Sequence, residues 1–507
     1  MSFPFSGEEF TFTQPDGATL AVRVWGDQRQ AVFETLDGYT LIRDPVTGFY
    51  EYATVNSEGT KLLGTGVRPG IADPGRLGIR GGARLSRLAA RAEAQLGVGL
   101  PKPRWKTRRE QTRAMQRTVH SANVAPAPPR RQTIGDYVGL CLLVQFPDVP
   151  GSISREEVEA FCNQHEYTEF GNNGSVHDYF LDSSVGKLRY TTIVSPYYTA
   201  QHPRSHYTNP TLPYGQRARE LIQEAFAYHT SRGFDFSELT ADGGNYAYAT
   251  NVFYAGNLVN NWSQGLWPHA ARLLTPYPVA PGINAYDYQI TNIGETLALG
   301  TYCHENGHML CDFPDLYDYG APGARSGGIG SYCLMCGGGN ADRMNPTQIC
   351  AYLKYQAGWA NSVTEITSSL VGTAPAGSND FFIYTKNSDE YFIIENRFKT
   401  GRDMALPDSG LAIWHVDERG NNSNEQMTPE SHYECSLEQS DGLFDLERGE
   451  AAGDDKDLFH AGWKDAFSSL TVPSSDWWDG TSSGLIVQNI GSSGAQMTFF
   501  ADVSANL

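Results

Sequence analysis

Apolar and polar residues alternate along the first 75 residues of the chain. The alternation flanks Asp16-Gly17, a dipeptide typical of hairpin turns, and it recurs around Asp37-Gly38 and Thr47-Gly48. Alternation with a period of two is the pattern of a strand with one buried face. Residues 1–75 are therefore predicted to form a β-rich N-terminal accessory domain or pro-segment.

Basic residues dominate the next segment, 76–132, whereas the rest of the chain is acidic. Arg84–Leu96 can form a short helix rich in Arg and Ala, and the segment ends in the run APAPPRR. Such a block is typical of an exposed linker, and its Lys and Arg residues suit proteolytic nicking. A plain solvated linker and an activation site are both open interpretations.

Strand and helix patterns alternate between residues 133 and 362, which predicts an α+β region. The candidate elements are strands over Gly139–Phe146 and Tyr246–Tyr254, and helices over 176–186 and Tyr214–His229. After Trp359 the pattern changes to short apolar runs separated by Gly, Asn, Asp and Ser, namely FFIYT, EYFIIENRF, GLAIWHV, GLIVQNI and AQMTFFADV. Residues 363–507 are therefore predicted to form a β-sandwich-like domain.

The composition is that of a globular protein, with 40% hydrophobic and 12% aromatic residues. A net charge of −19 would repel phosphates, so nucleic acid is not expected as a partner. No apolar run approaches the ~18 residues of a membrane span. The first residues lack the basic and apolar regions of a secretory signal. Three interpretations are therefore open: the protein stays inside the cell, it leaves by another route, or its start has been trimmed.

The stretch TNIGETLALGTYCHENGHML carries the strongest chemical signal, an H-E-x-x-H motif. Asn292 is predicted to cap a helix that has Glu295 at its third position. On that helix His304 and His308 lie one turn apart on the same face, so both imidazoles can bind one zinc ion. Glu305 is rotated by about 100° from His304. It can therefore take a proton from a water held by the metal and pass it to the leaving amine.

A catalytic zinc site needs a third protein ligand. Asp315 follows Pro314, which ends the helical path, and it is the favoured candidate. The alternatives are the nearby Asp312 and Asp318 and the distant Glu395. The sequence thus predicts a zinc site built from two histidines and one carboxylate.

Four segments between about residues 135 and 360 carry further motifs: GNNGSVHDYFLDSSVGKLRY, HENGHMLCDFPDLYD, GGIGSYCLMCGGG and NPTQICAYLKYQAGW. Together and in this order they resemble the immune inhibitor A-like metallopeptidases. The resemblance implies a secreted or surface zinc endopeptidase with a metzincin-like catalytic domain. It also implies an N-terminal pro-segment within residues 1 to about 130 and β-rich C-terminal regions.

The resemblance also implies roles for single residues by position. His304 and His308 correspond to zinc ligands, Glu305 to the general base, Asp315 to the third ligand, and Met335 to the methionine of a Met-turn below the metal. The chain departs from the family pattern twice. Cys311 replaces the usual glycine, and one extra residue separates His308 from the Pro-Asp pair. Glu395 therefore stays open as a substitute ligand.

Several residues outside this motif also have possible chemical roles. The aspartates Asp417, Asp441, Asp454, Asp455 and Asp457 offer oxygen ligands suited to calcium, although solvated acidic loops are the favoured explanation for them. Three histidines could line a substrate cleft, and two tyrosines could stabilise an oxyanion, but structural roles are favoured for all five. They are His269, His415, His432, Tyr317 and Tyr332. The lone C-x-x-C pair Cys333 and Cys336 is interpreted as two small buried side chains in a tight turn.

The sequence as a whole predicts a zinc-dependent endopeptidase that acts on protein or peptide substrates and is made as a zymogen. Its predicted fold is a metzincin-like domain over 133–362, flanked by the N-terminal and C-terminal β-rich regions. Two alternatives remain open: a zinc amidase of narrow specificity, and a non-catalytic binding protein that keeps the peptidase fold.

Overall fold

The computed structural model describes residues 5–119, 132–318, 327–422 and 427–504. The APAPPRR run lies outside the described residues. The strands of the described residues form four sheets, and helices pack against the second sheet. No helix among these residues has the length and the apolar character needed to cross a membrane.

The N-terminal sheet is a six-stranded antiparallel meander in which each strand pairs with the next. Its strands are β1 (Phe5–Thr13), β2 (Thr19–Gly26), β3 (Ala31–Glu34), β4 (Thr40–Arg43), β5 (Tyr50–Val55) and β6 (Leu62–Gly64). Gly17, Gly38 and Gly48 all have positive φ, so the predicted hairpin turns lie at these glycines. The buried face of the sheet contacts Trp267, which belongs to the central region.

The basic segment that follows contains two helices, α1 (Arg87–Leu96) and α2 (Arg104–Val119). The prediction of an exposed linker is wrong for the start of α2, because this helix packs against the central region. Trp105 is only 3% exposed there. Its tryptophan has apolar partners, and its arginines, which are spaced four residues apart, have acidic partners. The amino-acid composition of the segment does not reveal these contacts.

The central sheet has the strand order β11-β12-β10-β7-β8, and β9 also pairs with β7. Its strands are β7 (Gly135–Gln145), β8 (Leu188–Val194), β9 (Tyr198–Thr199), β10 (Thr250–Ala255), β11 (His269–Ala280) and β12 (Ile283–Ile293). The strands β7, β8, β10 and β12 are parallel, whereas β11 is an antiparallel edge strand. Alternate residues of β7 enter two separate cores, which explains the continuous apolar run over Gly139–Phe146.

Helices pack in the hydrophobic cores on both faces of this sheet. The helices of the region are α3 (Arg155–Asn163), α4 (Val176–Ser183), α5 (Arg204–Tyr207), α6 (Gln216–Ser231), α7 (Leu299–Cys311), α8 (Gly339–Ala341) and α9 (Ala351–Gln356). The predicted start of the motif helix at Asn292 is wrong. Asn292 lies in β12 opposite Tyr254 of β10, and α7 begins only after Ala298, which makes no side-chain capping bond.

The C-terminal region contains two sheets. The five-stranded sheet has the order β13 (Ser362–Glu365), β15 (Asp380–Thr385), β16 (Glu390–Arg397), β17 (Gly410–Asp417) and β18 (Cys435–Leu437). The three-stranded sheet has the order β14 (Leu370–Pro375), β20 (Gln496–Val503) and β19 (Leu485–Gln488). A short helix, α10 (Asp445–Arg448), lies between β18 and β19. The strands are therefore present where the apolar runs predict them.

The strand β16 connects two hydrophobic cores because its successive side chains point to opposite faces. Phe392 and Ile394 pack in the core shared with the three-stranded sheet. Tyr391 and Ile393 join the core that also contains α7 and α9. The five-stranded sheet thus continues the hydrophobic core of the central region.

We expect Asp403→Ala to destabilise the C-terminal region. Arg397 is 2% exposed and donates from Nε and Nη2 to the two carboxylate oxygens of Asp403, at 2.9 and 2.8 Å. Removing the carboxylate leaves a buried cation without its main partner, which costs about 3 kcal/mol. Urea unfolding monitored by circular dichroism measures this loss. Glu9→Gln, in the exposed ion pair with Arg23, is the control, and equal midpoints for the two variants would contradict the prediction.

Candidate metal centre

The helix α7 presents His304 and His308 on one face, and both residues are fully buried. The Nδ1 atom of His304 lies 3.0 Å from the carbonyl oxygen of Leu334. The Nδ1 atom of His308 lies 2.6 Å from the carbonyl oxygen of Phe313. Because a carbonyl can only accept, each ring donates from Nδ1, and in the neutral ring this leaves a lone pair on Nε2.

These two Nε2 atoms meet Asp315, which is 1% exposed. The Oδ1 atom of Asp315 lies 3.0 Å from the Nε2 atom of each histidine, and the two Nε2 atoms are 3.0 Å apart. Zinc donors at about 2 Å in a tetrahedron are roughly 3.3 Å from one another. The separations thus fit three ligands of one zinc ion.

The electrostatics of this cluster also suit a cation. Burial alone would raise the pKa of the Asp315 carboxyl, but the imidazoles of His308 and His304 outweigh burial and hold the pKa below its ordinary range. Burial alone would lower the pKa of His304, but the carboxylates of Asp315 and Glu305 outweigh it and raise the pKa. The site therefore favours positive charge at the point where the three donors meet.

The end of α7 accommodates the one extra residue that separates His308 from the Pro-Asp pair. Asp312 is the C-terminal cap of the helix and adopts the left-handed conformation, with φ 57° and ψ 26°. This conformation turns the chain sharply, so that Asp315 returns to the histidines. The shifted spacing therefore does not prevent Asp315 from reaching the site.

The three alternative carboxylates make other contacts. Asp312 forms an ion pair with Arg108, and Asp318 accepts a hydrogen bond from the Tyr433 hydroxyl at 2.9 Å. Glu395 accepts hydrogen bonds from the Ala351 amide and the Trp414 indole, each at 3.0 Å. The cluster that His304 and His308 form with Asp315 contains none of these three.

Met335 lies below the histidines in the turn Leu334–Gly338, and it is wholly buried. A Cβ atom added to Gly307 would lie 2.8 Å from the Met335 sulfur. A residue larger than glycine at position 307 would therefore require Met335 to shift. Cys333 and Cys336 are buried in the same turn, as the structural interpretation of the C-x-x-C pair predicts.

Glu305 completes the arrangement. It follows His304 on α7, is 1% exposed, and lies close enough to His304 to raise the pKa of that ring. It is not part of the three-donor cluster. A carboxylate beside the donors, but outside them, is placed to exchange a proton with a molecule that a bound metal would hold.

The family model of the immune inhibitor A peptidase M6 catalytic domain matches residues 275–364. Residues 275–364 are therefore similar to the catalytic domain of the immune inhibitor A-like metallopeptidases. The matched range runs from within β11 to within β13, and it contains the three donors, Glu305 and Met335. The motif GNNGSVHDYFLDSSVGKLRY lies outside the matched range. The chain matches no curated protein.

The helix α2 covers the metallopeptidase site. The Trp105 indole stacks on the His308 ring, with ring centroids 4.2 Å apart and an angle of 9° between the planes. The backbone N–H of Arg104, at the start of the helix, donates to both oxygens of Asp287 at 2.9 Å. Burial raises the pKa of the Asp287 carboxyl to about 6.

Four arginines of α2 pair with acidic residues of the central and C-terminal regions. The pairs are Arg104 with Asp242 at 2.7 Å, Arg108 Nε with Asp312 at 2.9 Å, Arg113 with Glu434 at 3.0 Å, and Arg109 with Glu434. Each arginine side chain is at most 22% exposed. The basic segment is thus held by charge pairs that its own composition does not specify.

The loop between β2 and β3 contacts the same region. The side-chain amide of Gln28 accepts from the Ala270 N–H at 3.0 Å and donates to the Ala270 carbonyl at 3.2 Å. Ala270 belongs to the edge strand β11. The Tyr317 hydroxyl, two residues after Asp315, donates to Asp27 at 3.2 Å. The N-terminal sheet therefore reaches both the strand edge and the metal centre.

The remaining candidate residues have protein partners away from the three donors. His269 contacts the Trp267 carbonyl and the Tyr288 hydroxyl, and burial lowers the pKa of His269 to about 3. The other contacts pair His415 with Glu390 and Glu438, His432 with Asp417, and Tyr332 with Asp457. These contacts agree with the structural roles that the sequence favours.

Sequence reasoning missed Trp105 and the acidic partners of α2. The signal was present in RWKTRREQTR, where Arg104 and Arg108, and also Arg109 and Arg113, are four residues apart and share a helix face. A single tryptophan in such a polar stretch also indicates a buried contact.

We expect Asp315→Ala to lower the zinc content of purified protein well below one ion per chain, because two imidazoles alone bind zinc weakly. Glu395→Gln should keep the zinc, since its carboxylate contacts Ala351 and Trp414. Elemental analysis of both variants, with folding checked by circular dichroism, measures this difference. Loss of zinc in Glu395→Gln with full retention in Asp315→Ala would contradict the assignment.

Proposed function

We propose that this protein is a zinc-dependent endopeptidase in which His304, His308 and Asp315 hold the metal and Glu305 is the general base. The proposal depends on one observation, the convergence of three donor atoms beside a buried carboxylate on a helix of a metallopeptidase family segment. It extends the family-level assignment to a named metal, a named base and a polypeptide substrate.

The chemistry divides between the metal and the side chains. When bound at these donors, zinc would lower the pKa of a water ligand towards ~7 and polarise the scissile carbonyl. Glu305 takes the proton of the attacking water and delivers it to the amine that leaves. The carbonyls of Leu334 and Phe313 hold the imidazoles in one orientation, which avoids reorganisation during the reaction.

An extended polypeptide fits beside the edge strand β11. Extended peptides bind commonly by adding a strand to an exposed sheet edge, where main-chain hydrogen bonds provide affinity without regard to side chains. The paired hydrogen bonds between Gln28 and Ala270 imitate one such strand contact. This feature supports a peptidase that accepts polypeptides over an amidase of narrow specificity.

The N-terminal region would keep the enzyme latent. The Trp105 indole covers the His308 ring, and the Gln28 side chain takes the backbone groups of Ala270. A substrate needs both positions. Cleavage after α2 would separate the arginine-rich helix from the acidic residues that hold it, so the basic segment acts as an activation segment in this proposal.

We expect Glu305→Gln to keep zinc at the wild-type level and to lower casein hydrolysis at least about 100-fold, because general-base catalysis contributes roughly 10²–10⁴ in rate. Elemental analysis and a fluorescent casein assay on protein treated with the same activating protease measure the two properties. Gln111→Ala, on the exposed face of α2, is the control for handling.

Each alternative function gives a different result in these assays. Undiminished casein hydrolysis by the zinc-loaded Glu305→Gln variant would refute the proposed mechanism. Zinc-dependent cleavage of one amide but not of casein would identify an amidase of narrow specificity. Wild-type protein that contains no zinc would identify a binding protein.

We expect Arg108→Glu combined with Trp105→Ala to raise the activity of the uncut chain about 10-fold or more. The charge reversal places two carboxylates together at Asp312, and the truncation removes the ring that covers His308. Losing one partly buried ion pair of about 1.4 kcal/mol alone corresponds to a tenfold shift towards the open form. Initial casein rates measure the effect while gel electrophoresis shows that the chain is intact.

Arg80→Glu is the matched control for this charge reversal, because Arg80 is an exposed residue of the same basic segment. It should leave the rate of the uncut chain unchanged. If the double variant and Arg80→Glu had equal rates, and both rates rose equally after cleavage, the cover formed by α2 would not be the cause of latency.

A further inference from the structure

An acidic cluster lies between β18 and β19, away from the candidate zinc site. One oxygen from each of Asp441, Asp454 and Asp457 lies within 4.8 Å of the other two. Calcium takes oxygen ligands at 2.3–2.6 Å, so two of its ligands are at most about 5 Å apart. The three carboxylates are therefore close enough to bind one ion together.

Unpartnered oxygen atoms distinguish this cluster from a solvated acidic loop. Asp457 is completely buried, yet its Oδ1 atom has no hydrogen-bond partner. The Oδ2 atom of Asp441 and the Oδ1 atom of the neighbouring Asp445 are also inaccessible and without a partner. A buried carboxylate oxygen without a donor or a cation is costly. Three such atoms in one place indicate a missing positive charge.

The other oxygens of these carboxylates are held firmly by the protein. The Oδ2 atom of Asp457 accepts from the Tyr332 hydroxyl at 2.9 Å and from the Asp454 N–H at 2.8 Å. The Oδ1 atom of Asp441 accepts from the Leu443 N–H at 2.8 Å. Each of these two side chains is thus fixed through one oxygen, which leaves the other oxygen directed away from its protein donors.

Basic residues do not neutralise the cluster. Within the described parts of the chain, no Lys or Arg forms an ion pair with Asp441, Asp445, Asp454 or Asp457. Burial, reinforced by Asp454 and Asp445, raises the pKa of Asp457 to about 7. Burial, reinforced by Asp454 and Asp441, likewise raises the pKa of Asp445. A divalent cation would relieve this repulsion.

We propose that Asp441, Asp454 and Asp457 bind one calcium ion. Carboxylate oxygens select hard cations, and an irregular set of several carboxylates on a loop suits calcium better than magnesium, which keeps most of its water shell. The structure excludes two of the five aspartates that the sequence suggests as calcium ligands. Asp417 pairs with His432 instead, and Asp455 is exposed outside the cluster.

The ion would stabilise the contact between the loop that joins β18 to β19 and the residues just before the turn Leu334–Gly338. The Tyr332 hydroxyl donates to Asp457, and the Ser331 N–H donates to the Ala452 carbonyl at 2.8 Å. Two residues later, the Leu334 carbonyl holds the Nδ1 atom of His304. Calcium therefore stabilises the loop and the turn together, and none of its ligands is also a zinc ligand.

The test uses the full chain with Glu305→Gln, so that self-digestion does not interfere, loaded with one zinc ion and freed of other metals on a chelating resin. Calcium chloride is titrated by calorimetry and by thermal unfolding. We expect one calcium ion per chain and a rise of about 5 °C in the unfolding midpoint at saturation. Magnesium chloride at the same concentration should give at most a small part of this rise.

Asp457→Asn is the decisive variant, because asparagine keeps an acceptor for Tyr332 while removing the charge. Without calcium it should unfold no earlier than the parent protein, but calcium affinity should fall at least tenfold and the thermal shift should disappear. Asp441→Asn should behave in the same way, whereas the exposed Asp455→Asn should keep the full shift. An absence of calcium binding, an equal effect of magnesium, or an undiminished shift in Asp457→Asn would each overturn the proposal.

Discussion

Two hydrogen bonds from histidine rings to backbone carbonyls fix the arrangement on which the candidate site depends. His304 donates to Leu334 and His308 donates to Phe313, so both Nε2 atoms carry their lone pairs towards Asp315. Those carbonyls belong to segments that follow the helix in the chain. The donor geometry is therefore a property of the folded loops as much as of the helix, and any change that moves these loops changes the metal centre.

Three separate parts of the molecule contact these loops. The helix α2 approaches through Arg108 and Trp105, the N-terminal sheet through Asp27, and the C-terminal region through Asp457. In the proposed function the first two contacts occupy space that a substrate needs, whereas the third holds Tyr332. The same short stretch of chain would thus connect the proposed latency with structural support.

Charge has two distinct functions in this arrangement. The overall excess of acidic residues includes Asp242, Asp312 and Glu434, which hold the arginines of α2 through partly buried pairs. The aspartates between β18 and β19 face one another without such partners. A net charge of −19 does not distinguish the two sets of acidic residues. Only the positions of the side chains separate an intramolecular contact from the proposed cation site.

The sequence by itself determined the local elements. Alternation placed the N-terminal hairpins and the C-terminal strands, and the spacing of His304, Glu305 and His308 placed the chemistry on a helix, because these signals depend on periods of 2 and 3.6 residues. The tertiary structure alone decided the third donor, the start of α7 and the position of α2. Each depends on residues distant in sequence: Asp315 reaches the histidines through a left-handed turn at Asp312, β12 extends through Asn292 by pairing with β10, and α2 finds its carboxylates on four other segments. Local periodicity carries no information about such contacts, since they arise only when separate segments pack against each other.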